Sequence, residues 1–194
     1  MESKPTNYPT LAFDSRAAFE QWLAENHATA EGLWLKFARK NSGVPSVTYE
    51  EAVLAALCYG WIDGQARSLD ETHHLQKFTP RRARSKWSKI NCGRAERLIA
   101  EGKMQPAGLA EIERAKADGR WDAAYDSPSN IEVPDDLRAA LDQNETARAF
   151  FEKLNSTNRY AILYQIHDAK RPETRARRIE KFVQMLAEGK KLYE

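Results

Sequence analysis

Hydrophobic and polar positions follow two different periods along this chain, and the change from one to the other divides it. In Gly32–Arg39 (GLWLKFAR), Leu33, Leu35 and Phe37 alternate with Trp34, Lys36 and Ala38, which is the period of a strand. Leu11–Phe13 predicts a short strand before it. A helix beginning at Ser15 then shares Phe19, Trp22, Leu23 and Asn26 on one side. Asn41–Pro45 reads as a loop. Thr48 followed by Glu51 is a capping box, because hydroxyl and carboxylate can each satisfy the other residue's backbone amide. The run behind it, EEAVLAALCY, is apolar nearly all round and predicts a central buried helix ending at Gly60.

Two strand-like arms follow, about Trp61–Leu69 and His73–Thr79, around a turn near Asp70–Thr72, and Pro80 ends the hairpin. Helical patterns then start near Ser85 or Ser88 and stop at Gly102, and run from about Pro106 to Asp118, stopping at Gly119. Asp122–Pro134 has linker composition. Everything beyond it is helical: about Pro134–Leu141, Glu145–Leu154, Ser156–Ala169 and Pro172–Glu188. In the last of these, Ile179, Phe182, Val183 and Leu186 form the inward stripe. The expected class is α+β, with a small-sheet domain over residues 1–121 containing the 61–79 hairpin. A linker over 122–134 and a small all-helical carboxy-terminal domain over 135–194 complete it.

Charge adds a second kind of information. The net charge is only +2, from 30 cations and 28 anions, but the distribution is uneven. Lys77–Arg97 holds eight cations against Glu96, and Lys170–Lys191 holds eight against Glu173, Glu180 and Glu188. A body that is acidic outside two basic segments suits an anionic partner. Cys58 and Cys92 are too few for a disulfide framework and read as free thiols. The amino terminus carries no apolar export region, and no run approaches the ~20 apolar residues that span a bilayer. The expectation is a cytoplasmic protein without membrane attachment.

Candidate chemistry concentrates between Trp61 and Arg94. On a helix containing SKWSKINCGRAERLIAEG, Trp87, Asn91, Arg94 and Leu98 share a face with Ile90 beside them. Lys86, Lys89, Gly93, Glu96 and Arg97 point away. An inward guanidinium needs an anion, because leaving it unpaired costs several kcal/mol. Asp63 is the nearest plausible carboxylate. Two readings stay open: a structural Arg94–Asp63–Asn91 network, or a ligand pocket lined by Trp61, Asp63, Asn91 and Arg94, in which Asp63 would be a general base. The run Arg81, Arg82, Arg84, Ser85, Lys86, Trp87 and Ser88 precedes that helix. Helix-start amides, hydroxyls and arginine forks together can hold a phosphate, and Phe78 and Trp87 are placed to stack on bases. His73 and His74 are adjacent on a strand and face opposite ways, while His27 and His167 stand alone, so no metal site is expected. No P-loop, GxGxxG or nucleophile–base order appears, and no cofactor is implied.

The stretches LCYGWIDG (Leu57–Gly64), FTPRRARSKWSKIN (Phe78–Asn91) and RLIAEGKM (Arg97–Met104) resemble the YdeI/OmpD-associated, or bacteriocin-protection, family. The tail YAILYQIHDAKRPETRARRIEKFVQMLAEGKK is similar to that family's carboxy-terminal segment. The resemblance implies a role in stress or antimicrobial-peptide resistance and carries no catalytic residues with it. The amino-terminal part also resembles a YjbR/CyaY-like sheet domain. Three functions remain in view: a binding protein for an anionic small molecule or nucleic acid, an enzyme built on the Asp63 cluster, and a protein-interaction module using the basic tail.

Overall fold

The computed structural model describes residues 8–40 and 42–194. The amino-terminal stretch MESKPTN and the first residue of the expected loop Asn41–Pro45 lie outside the described residues. Contacts divide the chain into two compact units. One comprises residues up to Trp87 together with Asn91–Ala123; the other comprises Ser88–Ile90 and Ala124–Glu194.

In the first unit, β1 (Thr10–Ala12) leads into α1 (Arg16–Asn26), whose amino end is capped by the Ser15 hydroxyl accepting from the Ala18 amide. β2 (Leu33–Ala38) lies parallel to β1, so α1 is the crossover between them. The predicted alternation holds: Leu33, Leu35 and Phe37 are buried and Trp34, Lys36 and Ala38 are not. α2 (Tyr49–Cys58) carries both halves of the predicted capping box, and seven of its ten residues are buried. β3 (Trp61–Ser68) and β4 (His73–Pro80) form the hairpin, giving the sheet order β1-β2-β4-β3 with β4 antiparallel to both neighbours. The β3–β4 register slips between Asp63 and Ala66, where the buried Gln76 side chain donates to the Gly64 carbonyl at 2.6 Å. That bond occupies a backbone acceptor that the bulge takes out of the ladder.

One face of this sheet builds the core. Leu33, Leu35, Phe37, Trp61 and Phe78 pack with Phe19 and Leu23 of α1 and Ala52, Ala55 and Ala56 of α2. Gly60 turns the chain out of α2 at φ +74, a left-handed conformation open to glycine. α3 (Lys89–Ala100) and α4 (Pro106–Ala117) follow. α4 closes on the end of α2 through Gly108, where an added methyl would overlap the Cys58 carbonyl and the Met104 sulfur.

The second unit contains α5 (Asp135–Asp142), α6 (Glu145–Glu152), α7 (Ser156–His167) and α8 (Pro172–Ala187), as the periodicity predicts. Leu137, Leu141, Phe151, Ile162, Ile166, Phe182 and Leu186 form its core. Asn144 and Asn155 cap α6 and α7. The architecture is α+β, with every strand ahead of Arg81. Among the described residues no helix is long and apolar enough to cross a membrane.

Candidate functional site

The chain leaves β4 through Pro80, and the Arg81 amide donates to the Gly60 carbonyl at 2.9 Å. A tight turn follows. The Ser85 amide donates to the Arg82 carbonyl at 2.9 Å, and the Ser85 hydroxyl accepts from the Arg82 amide at the same distance. Arg120 ties the turn down from outside by donating to the Ser85 carbonyl at 2.7 Å, while its Nε pairs with Asp118. The four-residue turn is thus closed by its own hydroxyl and held by a guanidinium.

The cations of this segment have separate fates. Arg81 is buried, with its guanidinium 3.7 Å from the centre of the Trp87 ring and Nη1 donating to the Lys86 carbonyl. Trp87 is buried as well, and its ring meets Trp121 at 4.9 Å. Arg82 and Arg84 point outward, exposed, and neither side chain meets a carboxylate among the described residues. Lys86 is exposed and Lys89 pairs with Asp126 at 2.8 Å.

Two expectations change here, and the choice between two helix starts is decided. Phe78 and Trp87 are both sealed in packed clusters, so neither can stack on a base. The helix begins at Lys89, after Ser88 rather than at Ser85, and the Lys89 amide already donates to the Tyr125 carbonyl. The helix start therefore offers fewer free donors than its sequence suggests. Arg81, expected to face a phosphate, has exchanged that role for stacking on Trp87.

The second group, Trp61, Asp63, Asn91 and Arg94, is not drawn into one cluster. Trp61 lies in the core, its Nε1 donating to the His27 carbonyl at 3.2 Å. Asp63 accepts from the Tyr49 hydroxyl at 2.7 Å. Arg94 is half-buried and donates to Asn91 at 3.2 Å, not to Asp63 or any other carboxylate among the described residues. The residues of α3 that face inward are Cys92, Ala95 and Leu98, and Ile90 is 48% exposed. The helix is turned slightly from the expected face. Small side chains go in and the guanidinium stays at the rim, where water offsets the cost of burying a charge.

Elsewhere, burial pushes both thiols up, Cys58 to about 11 and Cys92 to about 11, so neither is a ready nucleophile at neutral pH. Among the described residues no three His, Cys, Asp or Glu side chains are placed to hold a metal ion. Several tail cations are engaged within their own unit. Arg175 pairs with Asp136 at 2.5 Å, Arg178 donates to the Gln165 carbonyl, and Lys190 pairs with Glu188. A groove of about 690 Å³ in the second unit, lined by Tyr160, Tyr164 and Tyr193 with Pro128, Thr157 and Gln165, bears no charge. Sequence reasoning missed it because its tyrosines come from one helix and from the chain end.

Residues 11–111, just over half of the chain, match the family described as a domain of unknown function (DUF8412). The chain belongs to that family. Residues 130–189 match the family described as bacteriocin-protection, YdeI or OmpD-associated. The YdeI/OmpD-associated resemblance is thus carried by the helical tail, whereas LCYGWIDG, FTPRRARSKWSKIN and RLIAEGKM fall within the DUF8412 match. No curated protein and no solved structure matches the chain.

Proposed function

We propose that the protein binds a phosphorylated small molecule through Arg82 and Arg84 on the turn that follows β4. One observation carries this reading: two exposed guanidiniums sit on a hydrogen-bonded turn and have no carboxylate among the described residues. Arginine forks grip phosphate oxygens in pairs, and a turn closed by Ser85 and held by Arg120 fixes the backbone that presents them. Burial of Phe78 and Trp87 removes the stacking that a nucleic acid would use at this turn, which favours a small ligand here. The bacteriocin-protection description of the family matched by residues 130–189 supports a place in a stress or peptide-resistance response, and we assign that response to the cytoplasm.

Thermal shift with inorganic phosphate, nucleoside phosphates and sugar phosphates tests it. A ligand at about 100 times its Kd stabilises the native state by about 2.7 kcal/mol, a readily measured rise in Tm. The rise should disappear in the Arg82→Ala/Arg84→Ala double variant, whose own Tm should be close to that of the unsubstituted protein. A full rise in that variant, or no rise with any of the three classes, overturns the reading.

A further inference from the structure

The core of the first unit uses one face of its four-stranded sheet, and the opposite face is built differently. Trp34 lies directly across from Lys77, and Lys36 and Arg67 lie on either side of Leu75 in the register, so all four side chains share that second face. The Arg67 guanidinium sits 4.0 Å from the centre of the Trp34 ring, and the Lys77 ammonium 5.9 Å from it. The α1 and α2 residues of the core cluster pack with Leu33, Leu35, Phe37, Trp61 and Phe78, which point the other way. Leu75, between Lys36 and Arg67 in the register, is only 2% exposed.

The charge on this face is of one sign. The positions that pair across it, from Thr10 on β1 to Thr79 on β4, include no Asp or Glu. Arg67 is exposed and meets no carboxylate among the described residues. The nearest acid along the hairpin, Asp70, is committed to its own turn. Its carboxylate accepts from the Thr72 hydroxyl and from the Thr72 and His73 amides. A flat indole with three cations around it, and no anion among the described residues of this face, has two complementary partners in one molecule, a base for the ring and phosphates for the cations.

We propose that this sheet face binds single-stranded nucleic acid, with a base stacked on Trp34 and phosphates held by Lys36, Arg67 and Lys77. In the free protein Arg67 covers the ring. With no carboxylate among the described residues to hold it, it turns to a phosphate when a base takes its place. A duplex keeps its bases stacked inside and cannot offer one to a flat sheet, so recognition is confined to single strands. The ring is covered by a guanidinium and ringed by cations, which suits a base and its phosphates better than the apolar interior of a lipid surface. This surface shares no residue with the Arg82–Ser85 turn, and the proposal does not rest on it.

Fluorescence anisotropy of the full chain with a labelled, mixed-sequence single strand of about 12 nucleotides, within the site size of a single-strand binding domain, tests the assignment. Trp34→Ala should weaken binding roughly tenfold with an unchanged salt dependence, since stacking releases no counterions. Trp34→Phe should restore most of the affinity and shows that the sheet is intact. Arg67→Ala and Lys77→Ala should each lower the slope of log affinity against log salt by about 0.7. The proposal is overturned by no binding, by equal affinity for the matching duplex, by a Trp34→Ala variant that binds normally, or by binding to phosphatidylserine vesicles without binding to the oligonucleotide.

Discussion

The Arg81 guanidinium lies 3.7 Å from the centre of the Trp87 ring, and both residues are almost completely buried. A planar, weakly hydrated cation can be stacked on an indole in this way; an ammonium on a flexible stem cannot reproduce the contact. Arg81→Lys keeps the charge and should still destabilise the protein by about 2 kcal/mol, read from urea denaturation. Arg82→Ala, one residue along and exposed, should stay within about 0.5 kcal/mol of the unsubstituted protein. Equal losses at the two positions would mean that Arg81 is not stacked.

Gly108 lies where α4 meets the end of α2, and the space for a side chain is already filled by the Cys58 carbonyl and the Met104 sulfur. In an isolated helix, alanine would be favoured over glycine by roughly 1 kcal/mol. Here the contact decides the sign, since forcing apart well-packed elements costs typically about 1–3 kcal/mol. Gly108→Ala should lower stability. Gly93, in α3 with nothing near its missing methyl, should tolerate or gain from alanine. A Gly108→Ala variant as stable as Gly93→Ala would remove the close approach as the explanation.

The amino end of α2 supplies a pH test. The Glu51 carboxyl is held below its ordinary value of 4.5, first by the Thr48 backbone amide and then by the Thr48 side chain. A depressed folded-state pKa contributes stability that is present above the unfolded value and lost as pH falls through the folded one. Glutamine can fill the same capping position without charge. Glu51→Gln should therefore be slightly less stable at neutral pH, by less than about 1 kcal/mol for such an exposed group, and should match the unsubstituted protein in acid. Thr48→Ala removes the cap itself and should cost about 1 kcal/mol at neutral pH. An unchanging difference for Glu51→Gln between neutral pH and well below 4.5 would contradict the assignment.

Most of the fold was legible because local signals agreed with tertiary ones. The alternation in β2, the Thr48–Glu51 box and the stripe of α8 each name their element from a few neighbouring residues. The site was less legible, for a geometric reason. Helical periodicity gives a face but not its rotation, and a small turn of α3 moved Arg94 from the interior to the rim and put Cys92 and Ala95 inside. Sequence also cannot distinguish a cation that meets solvent from one that covers a ring. Arg81 and Arg82 are neighbours of the same type, yet one stacks beneath the surface and the other stands free of any carboxylate among the described residues. Trp34 was legible as an outward residue of β2, but its pairing with Arg67 depends on the hairpin register, which a bulge shifts.

In the helical unit, one buried side chain clamps the segment around Tyr193. Asn158 of α7 is 1% exposed, and its carboxamide meets the Tyr193 backbone twice, accepting from the amide at 2.8 Å and donating to the carbonyl at 3.0 Å. This is the two-bond pattern of a strand partner made by a side chain, and it sets the Tyr193 ring, 55% exposed, against the tyrosine-lined groove. Asn158→Ala leaves both backbone groups to water and opens a small cavity in place of the amide, so about 1–3 kcal/mol should be lost. Asn158→Asp keeps the size and the acceptor but loses the donor to the carbonyl, and should fall between the two. The local readout is amide hydrogen exchange at Tyr193, because a segment released from its clamp opens at little cost. Exchange there should be much faster in Asn158→Ala than in the unsubstituted protein under conditions where both remain folded. Equal exchange rates would show that the segment is held by its other contacts and not by Asn158.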